Sequence, residues 1–230
     1  MNNPIKIAID GPVGAGKGTL AVALAKKLNA FYVYTGAMYR ELALACLREK
    51  IDLNNEEEVL KILRNISIEL INTDYGVRAF LDGQEVSDEI FKPDVSKTVP
   101  IVAAFPKVRK EMVLRQQGMA KDAVRREKNI VMEGRDIATD VLRDADIKIY
   151  LTADINTRTQ RRLKQLTERG IKTSFDEVLK DIEARDGRDT ERTASPLRIA
   201  EDAVIIDTTN DTIDQTVDKV MEKLKEKNLI

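Results

Sequence analysis

Nine residues near the start of the chain constrain its fold more than any others. Gly11-Pro12-Val13-Gly14-Ala15-Gly16-Lys17-Gly18-Thr19 follows the apolar run Ile5-Lys6-Ile7-Ala8-Ile9-Asp10 and opens onto Lys17 to Leu28, where Leu20/Leu24 and Ala21/Ala25/Leu28 recur at helical spacing. A glycine-rich turn between a strand and a helix is the setting that cradles phosphate. Glycines let backbone N–H groups turn inward with no Cβ in the way. Those amides and the helix N-terminus attract an anion, and Lys17 adds a mobile positive charge for β- and γ-phosphates.

The rest of the chain alternates strands and helices. Phe31-Tyr32-Val33-Tyr34, Asn129 to Glu133, Ile147 to Thr152 and Ala203-Val204-Ile205-Ile206-Asp207 read as further buried strands. Helices are expected over Ala37 to Glu49, from a cap at Asn54 or Asn55, from Val95, from Pro106 to about Arg126, over 155–168 and 174–185, and along the stripe Ile213, Val217, Val220 and Leu224. Five apolar strands separated by helices imply a parallel sheet covered on both faces. Near Ser67 the pattern changes. Ser67 to Ile71, Val77 to Leu81 and Gln84 to Val86 are short strands broken by Asp74-Tyr75-Gly76 and Asp82-Gly83, and Asp-Gly is a strong tight-turn signal. A small antiparallel sheet is therefore inserted into the α/β chain.

Composition removes whole classes of chemistry. The 230 residues hold no His, which excludes imidazole acid–base catalysis, Ser-His-Asp triads and His metal sites. One Cys excludes a disulfide framework or a thiolate zinc cluster. Lys plus Arg total 38 against 39 Asp plus Glu, so no bulk positive field holds nucleic acid or an anionic membrane. No apolar run approaches a membrane span, and Met1-Asn2-Asn3-Pro4 runs straight into a strand, with no secretory signal visible. The expectation is a cytoplasmic monomer, with neither nucleic acid nor membrane as a partner.

Three strand ends would face one crevice, since ligands bind beyond the carboxyl ends of parallel strands. They are the glycine loop, Thr35-Gly36-Ala37-Met38-Tyr39-Arg40 and Glu133-Gly134-Arg135-Asp136. Each has a plain structural reading as well. Thr35 can cap a helix, Arg40 can pair with Glu41 or a neighbour, and Arg135 can pair with Asp136. Together they look like a second anion pocket. The Gly-Lys-Gly-Thr form resembles the nucleoside monophosphate kinase branch of the P-loop proteins. The general pattern has Ser or Thr directly after Lys; here the hydroxyl falls on Thr19, so Mg²⁺ is held by it directly or through water. GTPase motifs (Asn-Lys-x-Asp, Asp-x-x-Gly) and the transporter Leu-Ser-Gly-Gly-Gln do not occur.

The strand-one and loop residues, Thr35 to Arg40, Ala103-Ala104-Phe105-Pro106-Lys107-Val108-Arg109, Gly134-Arg135-Asp136 and Arg185-Asp186-Gly187-Arg188-Asp189 together resemble the bacterial cytidylate (CMP) kinases, over essentially the whole chain. The resemblance implies a P-loop kinase with a five-stranded parallel sheet flanked by helices, a small antiparallel β insert and a helical lid. It implies a single domain, with core at about 1–66, 94–152 and 200–230, monophosphate-binding insert at about 67–93 and lid at about 153–199. The implied reaction is phosphorylation of CMP and dCMP by ATP with Mg²⁺. Gly11 to Thr19 would hold ATP. Thr35, Arg40 and Arg135 would surround the acceptor phosphate, Arg109 and Asp136 would read cytosine, Arg185 and Asp189 would contact sugar and phosphates, and Arg192 would contact phosphate. No residue is expected to ligate metal as part of a protein cage; Asp10, Glu133 and Asp136 are candidates to hold waters of the ion. Pro100 stands where some relatives carry a small polar residue that helps read cytosine, Glu133 where Asp is common, and Ala138 where Gly is usual.

Eight arginines lie between Arg158 and Arg198. Arg158/Arg162 stand four apart on an expected helix and Arg188/Arg192 share that spacing, which in a helix is unfavourable by ~0.2–0.5 kcal/mol without an anion or carboxylate between them. A solvated face is one reading. The other is a lid whose Arg158, Arg162, Arg185 and Arg192 join Lys17 and Arg135 in clamping a transferring phosphoryl group. A different monophosphate or a shikimate-like acceptor is the competing assignment.

Overall fold

The computed structural model describes residues 3–74 and 76–230. In chain order the elements are β1 (Lys6–Asp10), α1 (Lys17–Lys27), β2 (Phe31–Tyr34), α2 (Thr35–Glu49), α3 (Glu56–Asn65), β3 (Ile68–Thr73), β4 (Gly76–Leu81), β5 (Gln84–Glu85), a 3-10 turn (Glu89–Phe91), α4 (Pro93–Val102) and α5 (Pro106–Arg125). Then come β6 (Ile130–Glu133), a π turn (Ile137–Val141), β7 (Ile147–Thr152), α6 (Ile155–Glu168), α7 (Phe175–Glu191), β8 (Val204–Asp207) and α8 (Ile213–Glu226).

The expected parallel sheet is present, with strand order β2-β6-β1-β7-β8. Alternation along β1 divides the core in two. Ile7 and Ile9 face Leu20 and Leu24 of α1 and Val217, Val220 and Leu224 of α8. Ala8 faces the opposite side, with Met38 and Leu42 of α2 and Met112 of α5. Burial on both faces explains why these strands read as continuous apolar runs.

Local chemistry sets the helix ends. Asn55, not Asn54, caps α3 by accepting from the N–H groups of Glu57 and Glu58. Ser174 with Glu177 and Thr212 with Gln215 form reciprocal capping boxes at α7 and α8. Two boundaries differ from expectation. Thr35 does not cap α2: it is the first helical residue, and its hydroxyl donates to the Glu133 carbonyl at 2.8 Å. Helix α7 passes Arg185 and runs to Glu191, because Gly187 lies within it rather than ending it.

The insert folds as the antiparallel sheet β3-β4-β5. Asp82 and Gly83 turn with φ of 50° and 78°, both in the left-handed region that a tight hairpin needs. The Met1-Asn2 start and the Tyr75 part of the other expected turn lie outside the described residues. β3 reaches back to the core through one side chain. Asn72 Oδ1 accepts from the Tyr32 N–H at 2.9 Å, and its Nδ2 donates to the Tyr32 carbonyl at 2.7 Å. On edge strand β2, that amide takes both bonds a neighbouring strand would supply. Among the described residues no helix is long and apolar enough to cross a membrane.

One core residue breaks the apolar rule. Glu41 of α2 is buried and neither carboxyl oxygen has a hydrogen-bond partner. Burial pushes its pKa from 4.5 to about 9, so the folded chain carries it neutral. Between these two values the unfolded chain sheds a proton that the folded chain keeps. Stability contributed by the neutral form is full below the lower value and is lost as pH rises toward the upper one, by up to about 1.4 kcal/mol per pH unit. Glu41→Gln is expected to flatten this slope. Urea titrations at pH 6 and pH 8 check it, and equal losses in parent and variant would refute a neutral carboxyl.

Candidate active site

The glycine loop joins β1 to α1 at the carboxyl edge of the sheet. Gly16 sits just before α1 with φ of 92° and no side chain caps the helix, so the first-turn amides are free for an anion. At Gly14, φ of 80° and a Cβ that would approach the Arg158 carbonyl to 2.8 Å both demand glycine. Lys17 is buried, and its Nζ donates to the Pro12 carbonyl at 2.8 Å. Burial, reinforced by Arg135, pulls its pKa down to about 7, against the opposing pull of Glu133, Asp189 and Asp10. The amine is therefore held, short of charge, by the loop whose ligand would recharge it.

β6 delivers the second wall. Arg135 and Asp136 do not pair with each other. Arg135 Nε donates to Asp189 Oδ2 at 2.7 Å, while Asp136 Oδ2 accepts from Arg109 Nη2 at 2.5 Å. Arg192 lies between the two carboxylates, at 4.0 Å from Asp136 and 3.6 Å from Asp189. The result is an alternating line, Arg109–Asp136–Arg192–Asp189–Arg135, running up to Lys17. Helical spacing builds one end of it, since Arg185, Asp189 and Arg192 fall four and three residues apart around the end of α7. Arg188 is exposed and donates to the Ala184 carbonyl. Unused hydrogen-bonding capacity remains inside the line, on Arg109 Nε, Arg192 Nη2 and the Tyr39 hydroxyl.

Asp10 holds this wall in place. Its two oxygens accept from the N–H groups of Ile137 and Ala138 at 2.9 and 2.8 Å, fastening the π turn after Gly134-Arg135-Asp136. Burial raises its pKa to about 6 despite those bonds. Asp10 and Asp136 are thus occupied with protein partners. Glu133 accepts from the Tyr32 hydroxyl at 3.2 Å and its Oε1 would lie 3.4 Å from a Cβ on Gly18. That proximity gives a reason for Gly, rather than Ser or Thr, directly after Lys17. Thr19 is exposed.

Arg40 does not pair with Glu41. Its Nη1 donates to the Ile90 carbonyl and to Ser96 Oγ, both at 2.9 Å, so no carboxylate offsets its charge there. Arg162 is brought near it: burial first, then Arg185 and Arg40, depress the Arg162 pKa to about 10, and its Nε has no partner. Arg185 Nε donates to Asp181 at 3.1 Å. Arg40, Arg162 and Arg185 form a cationic group in want of an anion. Arg158 is committed differently. It donates to Asp186 at 2.6 Å and to the Val13 and Ala153 carbonyls, bracing α6 against the glycine loop.

Sequence reasoning missed three features. Arg161 ties α6 to the end of β8 through Thr208 at 2.9 and 2.6 Å. The π turn carries no signal beyond the motif before it. Tyr39 lies in the motif that ends at Arg40, and its ring centre is 5.4 Å from the Arg109 guanidinium carbon, a contact that no local sequence signal announces.

Comparison with known proteins agrees with this geometry. The family described as Cytidylate kinase matches residues 7–226. A cytidylate kinase of Caldanaerobacter subterraneus subsp. tengcongensis is 46% identical over 210 residues, covering 91% of this chain and 90% of that protein. One from Bacillus cereus is 44% identical over 210 residues, covering 91% of each. The crystal structure of an uncharacterized protein from Eubacterium ventriosum shares the fold, with a TM-score of 0.52 at 16% identity over 97% of this chain and 99% of that one. A parallel sheet with a phosphate loop, an arginine-lined crevice and matches of this extent lead to one conclusion: the chain belongs to the cytidylate kinase family, and is a nucleoside monophosphate kinase.

Proposed function

We propose that this chain transfers the γ-phosphoryl group of ATP to CMP and dCMP, giving ADP and CDP or dCDP. One observation carries the reading. Asp10, which leads into the glycine loop, accepts from the Ile137 and Ala138 N–H groups just after Gly134-Arg135-Asp136, at 2.9 and 2.8 Å, and this supports placing both anion sites on one edge of the sheet. Relatives named cytidylate kinase give no support to a shikimate-like acceptor.

The loop amides and Lys17 would seat the triphosphate. Arg40, Arg135, Arg162 and Arg185 would surround the acceptor phosphate, with Thr35 beside it. Asp136, fixed by Arg109, would accept from the cytosine N4 amine; uracil presents an acceptor there and would leave a carboxylate unpaired. Asp189 and Arg192 would contact sugar and phosphate. No general base is needed, because the attacking phosphate oxygen is already anionic. Positioning and charge neutralisation do the catalytic work. The chain would act as one domain whose insert (about 67–93) binds the acceptor and whose arm (about 153–199) closes as a lid over the core.

Among the described residues no cluster of three or more acidic or thiol ligands converges on a metal-sized space. The donor set suits Mg²⁺ carried on nucleotide phosphates and water, with Glu133 and Thr19 toward its water shell. When bound, the ion neutralises charge across the β- and γ-phosphates.

Three outcomes are expected. In a coupled assay with ATP, kcat/KM for CMP and dCMP exceeds that for UMP, AMP and shikimate by about 10-fold or more, the worth of one hydrogen bond to a charged group; parity among them would defeat the base assignment. Arg135→Ala lowers kcat at least about 100-fold, as loss of a charge-stabilising donor does, while calorimetric ATP affinity stays within a few-fold. Loss of both together would argue against a separate acceptor site. Finally, ATP binding recharges Lys17, whose free pKa is about 7. Above that pH binding takes up a proton, so affinity falls as pH rises. Titration calorimetry at pH 8 in buffers of different ionisation enthalpy measures the uptake, and a buffer-independent heat would contradict it.

A further inference from the structure

Two residues outside the site meet across its mouth. Arg169 flanks the C-terminal end of α6, and Phe91 closes the 3-10 turn before α4. The Arg169 guanidinium carbon lies over the Phe91 ring, 3.8 Å from its centre. The Arg40 guanidinium carbon lies over the same ring at 5.0 Å. The two cations are thus no more than about 9 Å apart, within about one Debye length at moderate salt. Arg169 is exposed and no carboxylate pairs with it among the described residues. Arg40 donates only to neutral oxygens, and one of them, the Ile90 carbonyl, immediately precedes Phe91. The ring is therefore placed by the same arginine that faces the acceptor.

The forces at this junction oppose each other. The ring's negative face attracts each guanidinium. The two guanidiniums repel each other. An anion on Arg40 removes the repulsion and leaves the attraction.

We propose that Arg169 is a positioning residue that latches the α6–α7 arm to the acceptor side of the crevice through the Phe91 ring, and that an acceptor phosphate on Arg40 tightens the latch. The proposal rests on the assignment of Arg40 to the acceptor. Closure then follows acceptor arrival, the order that keeps water from taking the phosphoryl group.

Steady-state kinetics on the full chain, with CMP and ATP varied separately, tests it. Arg169→Ala should raise KM for CMP about 2- to 5-fold, the worth of a partly exposed cation–π contact, and leave KM for ATP unchanged. Arg169→Lys, which keeps the charge, should recover part of the loss. In a Phe91→Leu background Arg169→Ala should add nothing, whereas in Phe91→Tyr it should act as in the parent. An undiminished Arg169→Ala effect in Phe91→Leu, or equal movement of both KM values, overturns the latch. A parent that makes no CDP overturns the acceptor assignment and the latch with it; an active parent indifferent to Arg169→Ala overturns the latch alone.

Discussion

The alternation of charge from Arg109 to Arg135 is the constraint on which the site depends. Each member is buried or half-buried, and an isolated ion there would be costly. Placed in sequence, every carboxylate lies between two guanidiniums, so none is left uncompensated. Three cations to two anions leave the line positive, and Lys17 stands at its end. The protein thereby holds a fixed positive field without collapsing into closed ion pairs. A dianionic phosphate entering the crevice completes a pattern that the chain leaves one charge short.

Much of this was legible because it is local. The glycine loop, the Asp82-Gly83 hairpin, the capped helices and the apolar strands all announce themselves over a few consecutive residues. The same holds for the clusters proposed to form the acceptor site, since the segments with Arg40 and Arg135 follow strand ends that a parallel sheet must gather at one edge. What could not be read is partner choice. Arg135 and Asp136 are adjacent in sequence, yet their side chains go to Asp189 and Arg109, because neighbours after a strand diverge and helix α7 continues past Gly187. Arg158 and Arg162 looked alike as two turns of one basic face. One is bound to the loop backbone and Asp186, and the other is left with an unpartnered nitrogen. Such distinctions depend on contacts between residues far apart in the chain.

The absence of histidine has an electrostatic counterpart. Guanidiniums keep their charge through the neutral range, so the crevice is nearly indifferent to moderate changes of pH. Burial makes two exceptions, Lys17 and Asp10, at the two ends of the glycine loop's approach. Asp10 holds the Ile137 and Ala138 amides of the π turn, and Lys17 donates to the Pro12 carbonyl of the loop. On the proposed reading, proton exchange is concentrated where the nucleotide tail would arrive, while the acceptor side would work with permanent charges.

Asn72 carries a different implication. A single carboxamide satisfies the Tyr32 peptide on both sides and ties the insert to the margin of the main sheet. Asparagine is also among the side chains that hydrolyse slowly as a protein ages. Conversion to aspartate would replace the donor with a carboxylate oxygen, turned toward a carbonyl that would repel it. The strand margin would then present an open peptide to solvent and to other chains. The seam between the insert and the main sheet is in this way tied to the chemical persistence of one amide.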